Sequence, residues 1–281
     1  MPASNILALS GPLAAVMREA GELARATARR PFKRWTKGAA ASPVSEGDIA
    51  VNDFLHERLS TLVRSAGWLS EESHDHLPDR ALPVVWIVDP IDGTRAYISS
   101  RADWAISVAL VEHGRPLIAA IYAPVTDEMF LASRGGGATL NNTPIRVTPG
   151  ATLAGAKLAG PKSYLERLAG ISPEIVAQPK VHSLALRIAR VAQGALEAAL
   201  ASAGSHDWDL AAADLLVHEA GGALTDFAGQ PLKYGEPQIA HGALDSRRPC
   251  SPRRVNRARA RPRNRIRVGL TNRSIPPPPG H

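Results

Sequence analysis

Two aspartates three residues apart, Asp89 and Asp92, lie in the run Trp86-Ile87-Val88-Asp89-Pro90-Ile91-Asp92-Gly93-Thr94, the densest chemical signal in the chain. The apolar segment before them delivers Asp89 to its end, Pro90 interrupts strand pairing, and Asp92-Gly93-Thr94 begins a turn. Carboxylates presented this way can converge on hard cations, which take oxygen ligands. Gly93 and Thr94 are expected to open a short helix whose free N–H groups would bind an anion such as phosphate. Cation ligands beside phosphate donors are what phosphoryl chemistry needs. Taken alone, the same residues also fit an Asp-capped turn.

Three other segments carry carboxylates. Ser70-Glu71-Glu72-Ser73 follows an apolar stretch, Ser42-Pro43-Val44-Ser45-Glu46-Gly47-Asp48 precedes a helical pattern, and Asp207-Trp208-Asp209 starts a segment ending in Glu219-Ala220-Gly221-Gly222. Singly, a glutamate pair is ordinary solvated surface and an aspartate before a helix is an ordinary N-cap. Together and in this order they resemble the inositol monophosphatase superfamily, whose signatures are a Glu-Glu pair, D-P-[IL]-D-G-T, and W-D followed by a helix and Gly-Gly. Ser42 to Asp48 is similar to the S-P-V-T-x-A-D that opens the family's second helix. The resemblance covers roughly residues 35–245.

That resemblance implies a role for each position. Glu71, Asp89 and the Ile91 carbonyl would hold a first Mg²⁺, and Asp89, Asp92 and Asp209 a second. Glu71 would face a weaker third ion through water, giving two to three Mg²⁺ in all. Thr94, oriented by Asp48, would position the attacking water with help from Glu71 or Glu72, while the Gly93 and Thr94 backbone binds phosphate. The implied activity is metal-dependent hydrolysis of a phosphate monoester, sensitive to Li⁺ and needing no protein nucleophile. The implied fold is α/β (α+β), a layered αβαβα sandwich resembling inositol monophosphatase and fructose-1,6-bisphosphatase. Residues 1–150 would form an α+β half and residues 151–245 an α/β half. Homodimers are common in the superfamily.

Substrate has to be read outside the metal core. Arg95 follows Thr94 where inositol phosphatases commonly have T-N-F and bacterial 3′(2′),5′-bisphosphate nucleotidases K-E-F, so a cation would stand beside the phosphate; it also fits a surface residue pairing with a nearby acid. Ser183-Leu184-Ala185-Leu186-Arg187-Ile188-Ala189 resembles the nucleotidase S-L-K-F-C, with Ser183 contacting substrate beside Asp209. Ser202 stands where the family has a glutamate that contacts inositol. The expectation is therefore a bisphosphate nucleotidase converting adenosine 3′,5′-bisphosphate to AMP and phosphate. The alternative is an inositol-1-monophosphatase or another sugar-type monophosphate phosphatase.

The elements that must position these residues show in the apolar spacing. Helices are expected over 12–30, over 49–66 with Ser45 as cap, over 183–193 and over 210–220. Strands are expected over 84–88, 104–111, 117–122 and 128–133, with a hairpin turn at Glu112-His113-Gly114-Arg115, and a loop over 34–43. Trp86 and Trp104 are assigned to the core. His74, Asp75 and His76 are assigned to a solvated loop. His182 and His206 either line the site or are satisfied within the fold.

Composition sets the outer limits. The chain has 281 residues, and its single cysteine, Cys250, excludes an internal disulfide framework or a thiolate cluster. Residues 246–281 hold eleven Arg and no Asp, Glu or Lys, so taking eleven from the net +7 leaves residues 1–245 at −4. This Arg/Pro-rich tail is expected to be disordered. The abrupt change after Asp245 suggests a reading-frame change that replaced the native C-terminus. The tail also raises a binding function of another class, but it lacks aromatics interleaved for base stacking, so nucleic acid is not the expected partner. No run approaches the roughly 20 apolar residues that span a bilayer. The charged N-terminal residues Arg18, Glu19, Glu22, Arg25, Arg29 and Arg30 do not suit a leader, so a cytoplasmic location is expected.

Overall fold

A computed structural model of the chain describes residues 3–38, 41–73, 82–149 and 152–247. His74, Asp75, His76, Cys250 and the Arg/Pro-rich tail from 248 onward lie outside the described residues.

The chain opens with helices α1 (Ala3–Ala8) and α2 (Ser10–Ala28), then an antiparallel hairpin of β1 (Arg34–Lys37) and β2 (Ser42–Ser45). This hairpin replaces the loop expected over 34–43. Its first strand, Arg34-Trp35-Thr36-Lys37, is polar and largely exposed, so no alternation marks it. Ladder pairing with buried Val44 and Ser45 holds it in place. Helix α3 (Glu46–Leu62) starts directly after, three residues earlier than expected, because Ser45 and Asp48 form a reciprocal capping box.

A seven-stranded sheet follows, in the spatial order β3 (Gly67–Ser70), β4 (Val84–Asp92), β5 (Ala105–Glu112), β6 (Arg115–Ala123), β7 (Glu128–Ser133), β8 (Gly137–Leu140) and β9 (Thr143–Pro144). All its pairings are antiparallel except β3 with β4. Helix α4 (Thr94–Ile98) lies between β4 and β5. The central strands read as unbroken apolar runs because both faces are covered. On β5, Ile106, Val108 and Leu110 pack towards α2 and α3, while Ala105, Ala109 and Val111 pack to the opposite side.

The second half contributes β10 (Lys157–Ala159), α5 (Lys162–Ile171), β11 (Val176–Ala177), α6 (Leu184–Ala192), β12 (Ala198–Ala201), β13 (Ser205–His206), α7 (Asp207–Glu219), β14 (Ala223–Asp226), β15 (Ala240–His241) and β16 (Leu244–Arg247). Five of these strands form a sheet in the order β11-β10-β12-β16-β14, and β13 pairs with β15. Helices α6 and α7 are sandwiched between the two sheets, sharing one core with Ala119 and Ile121 on one side and Ala199, Leu224 and Leu244 on the other. The alanines of that layer, among them Ala185, Ala189, Ala211, Ala212 and Ala213, let helix and sheet approach closely. Helix α5 covers the far face through Tyr164 and Leu168 against Leu158 and Leu200.

The layers are therefore α2 and α3, the seven-stranded sheet, α6 and α7, the five-stranded sheet, and α5, the αβαβα sandwich expected. The folded part runs past 245: β16 continues through Arg247, and Ser246 is fully buried with its hydroxyl on the Ala199 carbonyl. Trp86 and Trp104 are buried in the first core. Among the described residues, no helix is long and apolar enough to cross a membrane.

Candidate metal centre

Asp89 and Asp92 would face opposite sides of a regular strand, since side chains alternate. A bulge prevents this. Asp89 pairs with Ser107 and Asp92 with Ala105, so β4 spends one residue more than β5 over the same interval. The extra residue turns both carboxylates to the same side. Asp209 joins them from the first turn of α7, its side chain accepting the His206 backbone N–H at 2.6 Å. Oxygens of the three carboxylates all lie within 4.8 Å of one another.

The three sites differ in how they are held. Among the described residues, Asp89 accepts only the Ile91 N–H, at 3.0 Å. Asp92 accepts three donors from the start of α6: the Ser183 hydroxyl at 2.6 Å, the Leu184 N–H at 3.1 Å and the Ala185 N–H at 2.6 Å. Burial, reinforced by the neighbouring carboxylates, raises Asp89 and Asp209 well above the ordinary carboxylate range. Burial pushes Asp92 up to about 6 against the pull of its three hydrogen bonds. Three hard oxygen donors crowded in one buried space, each made reluctant to ionise, fit a divalent cation that would neutralise them.

Ser183 lies behind this cluster. It is fully buried, and its hydroxyl donates to Asp92 while accepting the Leu186 N–H at 2.9 Å to cap α6. Its proton and one of its lone pairs are used within the fold. His182 is likewise satisfied internally, with Nδ1 2.6 Å from Asp103 Oδ2. The carboxyl of Asp103 is held far below the usual range: burial opposes this, but hydrogen bonds from His182 and Arg101 outweigh it.

Thr94 stands on the other side of the cluster. Its hydroxyl lies 3.0 Å from Asp48 Oδ1 and 3.1 Å from the Ile91 carbonyl oxygen. Asp48 Oδ2 is committed to the Ser45 N–H at 2.8 Å and the Ser45 hydroxyl at 2.5 Å, so the α3 cap fixes the carboxylate that faces Thr94. Burial pushes Asp48 up to about 6. Gly93 turns the chain into α4 at φ +95°, and a Cβ there would lie 3.1 Å from the Ser183 nitrogen and 3.3 Å from the Asp103 carbonyl. Glycine is required on both counts.

Glu71 and Glu72 extend from the end of β3, and the β1–β2 hairpin brings Lys37 between them. Its ammonium lies 3.3 Å from Glu71 Oε1 and 2.7 Å from Glu72 Oε1, and donates to the Glu71 carbonyl at 2.9 Å. Burial pushes Glu72 up to about 7, with Lys37 opposing the rise. Burial pulls the Lys37 ammonium down, but Glu71 and Glu72 together leave it raised. Nothing in the sequence near Lys37 marks it, because its importance depends on the hairpin.

Arg187 was also hidden, since it reads as one more polar residue of α6. It is largely buried, its Nε has no hydrogen-bond partner among the described residues, and the charges of Asp92 and Asp209 act on it. Arg95 is exposed on α4. Arg187, not Arg95, is the arginine whose charge is felt by Asp209 in the cluster. Ser202 is exposed ahead of β13.

A five-layer αβαβα sandwich with three aspartates converging from a bulged strand and a helix start defines a class of carboxylate-centred α/β proteins. The profile of the inositol monophosphatase family matches residues 10–260, and the chain belongs to that family. It is 34% identical over 206 residues to the inositol-1-monophosphatase of Rhizobium meliloti strain 1021, covering 69% of this chain and 77% of that protein. It is 36% identical over 155 residues to the Nus factor SuhB of Vibrio cholerae El Tor N16961, covering 52% of this chain and 58% of that protein. The chain thus spans less than two thirds of that relative. Among solved structures, the extragenic suppressor protein SuhB of Bartonella henselae superposes with a TM-score of 0.75 at 27% identity, covering 86% of this chain and 94% of that one. A 2′-AMP-bound SaIMPase-II superposes with a TM-score of 0.72 at 25% identity, covering 85% and 88%.

Proposed function

We propose that this chain is a Mg²⁺-dependent phosphomonoesterase whose preferred substrate carries a second phosphate, a 3′(2′),5′-bisphosphate nucleotide such as adenosine 3′,5′-bisphosphate. Asp89, Asp92 and Asp209 would hold the metal ions, with Glu71 and the Ile91 carbonyl completing the set. Bound divalent cations would acidify a water and neutralise the charge that develops on the leaving oxygen. The protein's part is alignment. The Thr94 hydroxyl donates a hydrogen bond to ionised Asp48, leaving its lone pairs to accept one from the attacking water. Backbone N–H groups at Gly93 and Thr94 would receive the phosphate, and Glu72, pushed up to about 7, is suited to take a proton near neutral pH.

The observation that carries the substrate choice is Arg187. A buried guanidinium that feels the charges of Asp92 and Asp209, with its Nε unpartnered among the described residues, loses that attraction once cations neutralise the aspartates. It is then available to a second phosphate, which suits its planar donors. Ser202 points the same way, since the family's inositol-contacting carboxylate is missing there. A second reading, hydrolysis of an inositol monophosphate, is favoured by the Rhizobium meliloti relative's name. A Mg²⁺-dependent phosphate-release panel of adenosine 3′,5′-bisphosphate, adenosine 2′-monophosphate and inositol 1-phosphate separates the two. A higher kcat/KM for the inositol ester would reject the bisphosphate reading.

A further inference from the structure

We infer that His206, stacked on Trp208, is the platform on which the base of a nucleoside phosphate lies; this rests on the phosphomonoesterase reading and assigns the residue that would recognise the nucleotide's base. The two rings are parallel, with centroids 4.7 Å apart and planes 10° from coincident. Trp208 is anchored from below: its side chain packs against the inter-sheet core, and its carbonyl accepts the Ser107 hydroxyl at 3.2 Å. His206 lies above it, and its side chain keeps 40% of its surface exposed.

Location gives this stack its meaning. The His206 backbone N–H donates to Asp209 at 2.6 Å, and its ring Nδ1 comes no nearer to that carboxylate than 3.9 Å, beyond hydrogen-bond length. The imidazole therefore borders the metal centre without bonding its carboxylates, and the reciprocal cap between His206 and Asp209 fixes where it stands. The charges of Glu71, Asp207, His241 and Lys37 all reach the ring. The residues leading into it, Ser202, Ala203 and Gly204, are small and exposed, so no bulky side chain from that segment covers the ring. With a phosphate at the aspartates and a base on His206, the sugar bridges the gap between them.

The chemistry selects a class of ligand. Aromatic stacking rewards any nucleobase, since every base offers a π-face, and gives nothing to inositol or glycerol esters. A buried guanidinium for a second phosphate and an aromatic shelf for a base describe one ligand in two parts.

The test uses the full chain with Mg²⁺ and the variants H206A and H206F, comparing adenosine 3′,5′-bisphosphate with glycerol 2-phosphate. Expected for H206A is a rise of about 10-fold in the nucleotide KM relative to the glycerol phosphate KM, with H206F restoring most of the ratio. Equal losses on both substrates would reduce His206 to support for Asp209, and an unmoved ratio would remove the platform. Calorimetric titration with adenosine 3′,5′-bisphosphate settles the point independently of turnover. Wild-type binding weakened about 10-fold by H206A supports the platform even if the phosphomonoesterase reading fails. Hydrolysis of glycerol phosphate with no nucleotide binding overturns the platform and leaves that reading standing.

Discussion

Gly47 and Tyr97 compete for one space: a Cβ on Gly47 would lie against the Tyr97 hydroxyl and 2.7 Å from its Cζ. Glycine inside the first turn of α3 costs helix stability, so the room it leaves must serve something. That room lets the Tyr97 hydroxyl donate to the Ala24 carbonyl of α2 at 2.8 Å, while its ring packs edge-on to Trp104 at 5.0 Å. Each member of the pair is tied to one partner of the Thr94–Asp48 hydrogen bond: Gly47 adjoins Asp48, and Tyr97 follows Thr94 by three residues on α4. Gly47→Ala should cost about 1–3 kcal/mol by overpacking, read as a lower melting temperature. It should also lower kcat more than it changes KM, because it moves Asp48 relative to Thr94. Adding Tyr97→Phe, which releases the ring from Ala24, should recover part of both losses. A double variant no better than Gly47→Ala alone would show that the steric conflict is not the cause.

The raised carboxylates make stability depend on pH and metal in a definite direction. Asp48 and Asp92 stand at about 6 in the folded chain, against ordinary values near 4 when unfolded. The folded state therefore holds protons that the unfolded state has already released. Their contribution to stability is fully present below about pH 4 and is lost as pH rises through about 6. Asp89 and Asp209 act in the same direction. Metal-free protein should show a melting temperature that falls between pH 5 and about 7, and Mg²⁺ should restore it most at the higher pH. Asp89→Asn can keep the Ile91 N–H bond, and it should both flatten the slope and remove most of the Mg²⁺ response. A metal-free melting temperature that climbs over this range would contradict the charge-crowding account.

The parts of this site that were legible in the sequence are those written into one segment. Val84 to Val88 announces a buried strand and Asp89 to Thr94 its chemistry, and Ser45 with Asp48 shows as a helix start. What was hidden depends on contacts between segments. The β4 bulge that turns Asp89 and Asp92 to the same side is a property of pairing with β5, so the motif alone does not reveal it. Lys37 lies on a polar strand defined only by its partner, and Arg187 on a helix whose inner face is known only once α6 is placed between the sheets. The close of the fold was misjudged for the same reason. Asp245-Ser246-Arg247 looks like the beginning of a polar tail, yet it is the strand that joins β12 to β14.

Lys37 should set the acid limb of the pH profile. Glu72 is nearly inaccessible, with 4% of its side chain exposed, and Lys37 is the cation that limits its rise to about 7. Lys37→Met removes that support and leaves Glu72 beside Glu71 with no opposing charge at 2.7 Å. Glu72 should then ionise later, moving the acid limb of kcat/KM upward by about 1 pH unit, while Lys37→Arg keeps it near the wild-type position. An acid limb that stays in place in Lys37→Met would mean that Glu72 does not govern it.

Arg187 permits the sharpest separation of charge compensation from substrate binding. If its only role is to offset Asp92 and Asp209, then Mg²⁺ takes over that role and Arg187→Ala should be nearly silent at saturating metal. If it binds a second phosphate, the loss should appear with metal bound and only for substrates that carry that group. Truncating a guanidinium that pairs with phosphate typically costs about 2–5 kcal/mol, so KM for adenosine 3′,5′-bisphosphate should rise at least about 10-fold. Arg187→Lys keeps the charge but loses the planar pair of donors, and should fall between wild type and alanine. The discriminating measurement is the ratio of KM values for adenosine 3′,5′-bisphosphate and adenosine 3′-monophosphate, taken at saturating Mg²⁺. Collapse of that ratio towards one in Arg187→Ala places the second phosphate on this residue. A ratio unchanged from wild type, with a weakened Mg²⁺ response in its place, would return Arg187 to charge compensation and leave the bisphosphate preference without its structural basis.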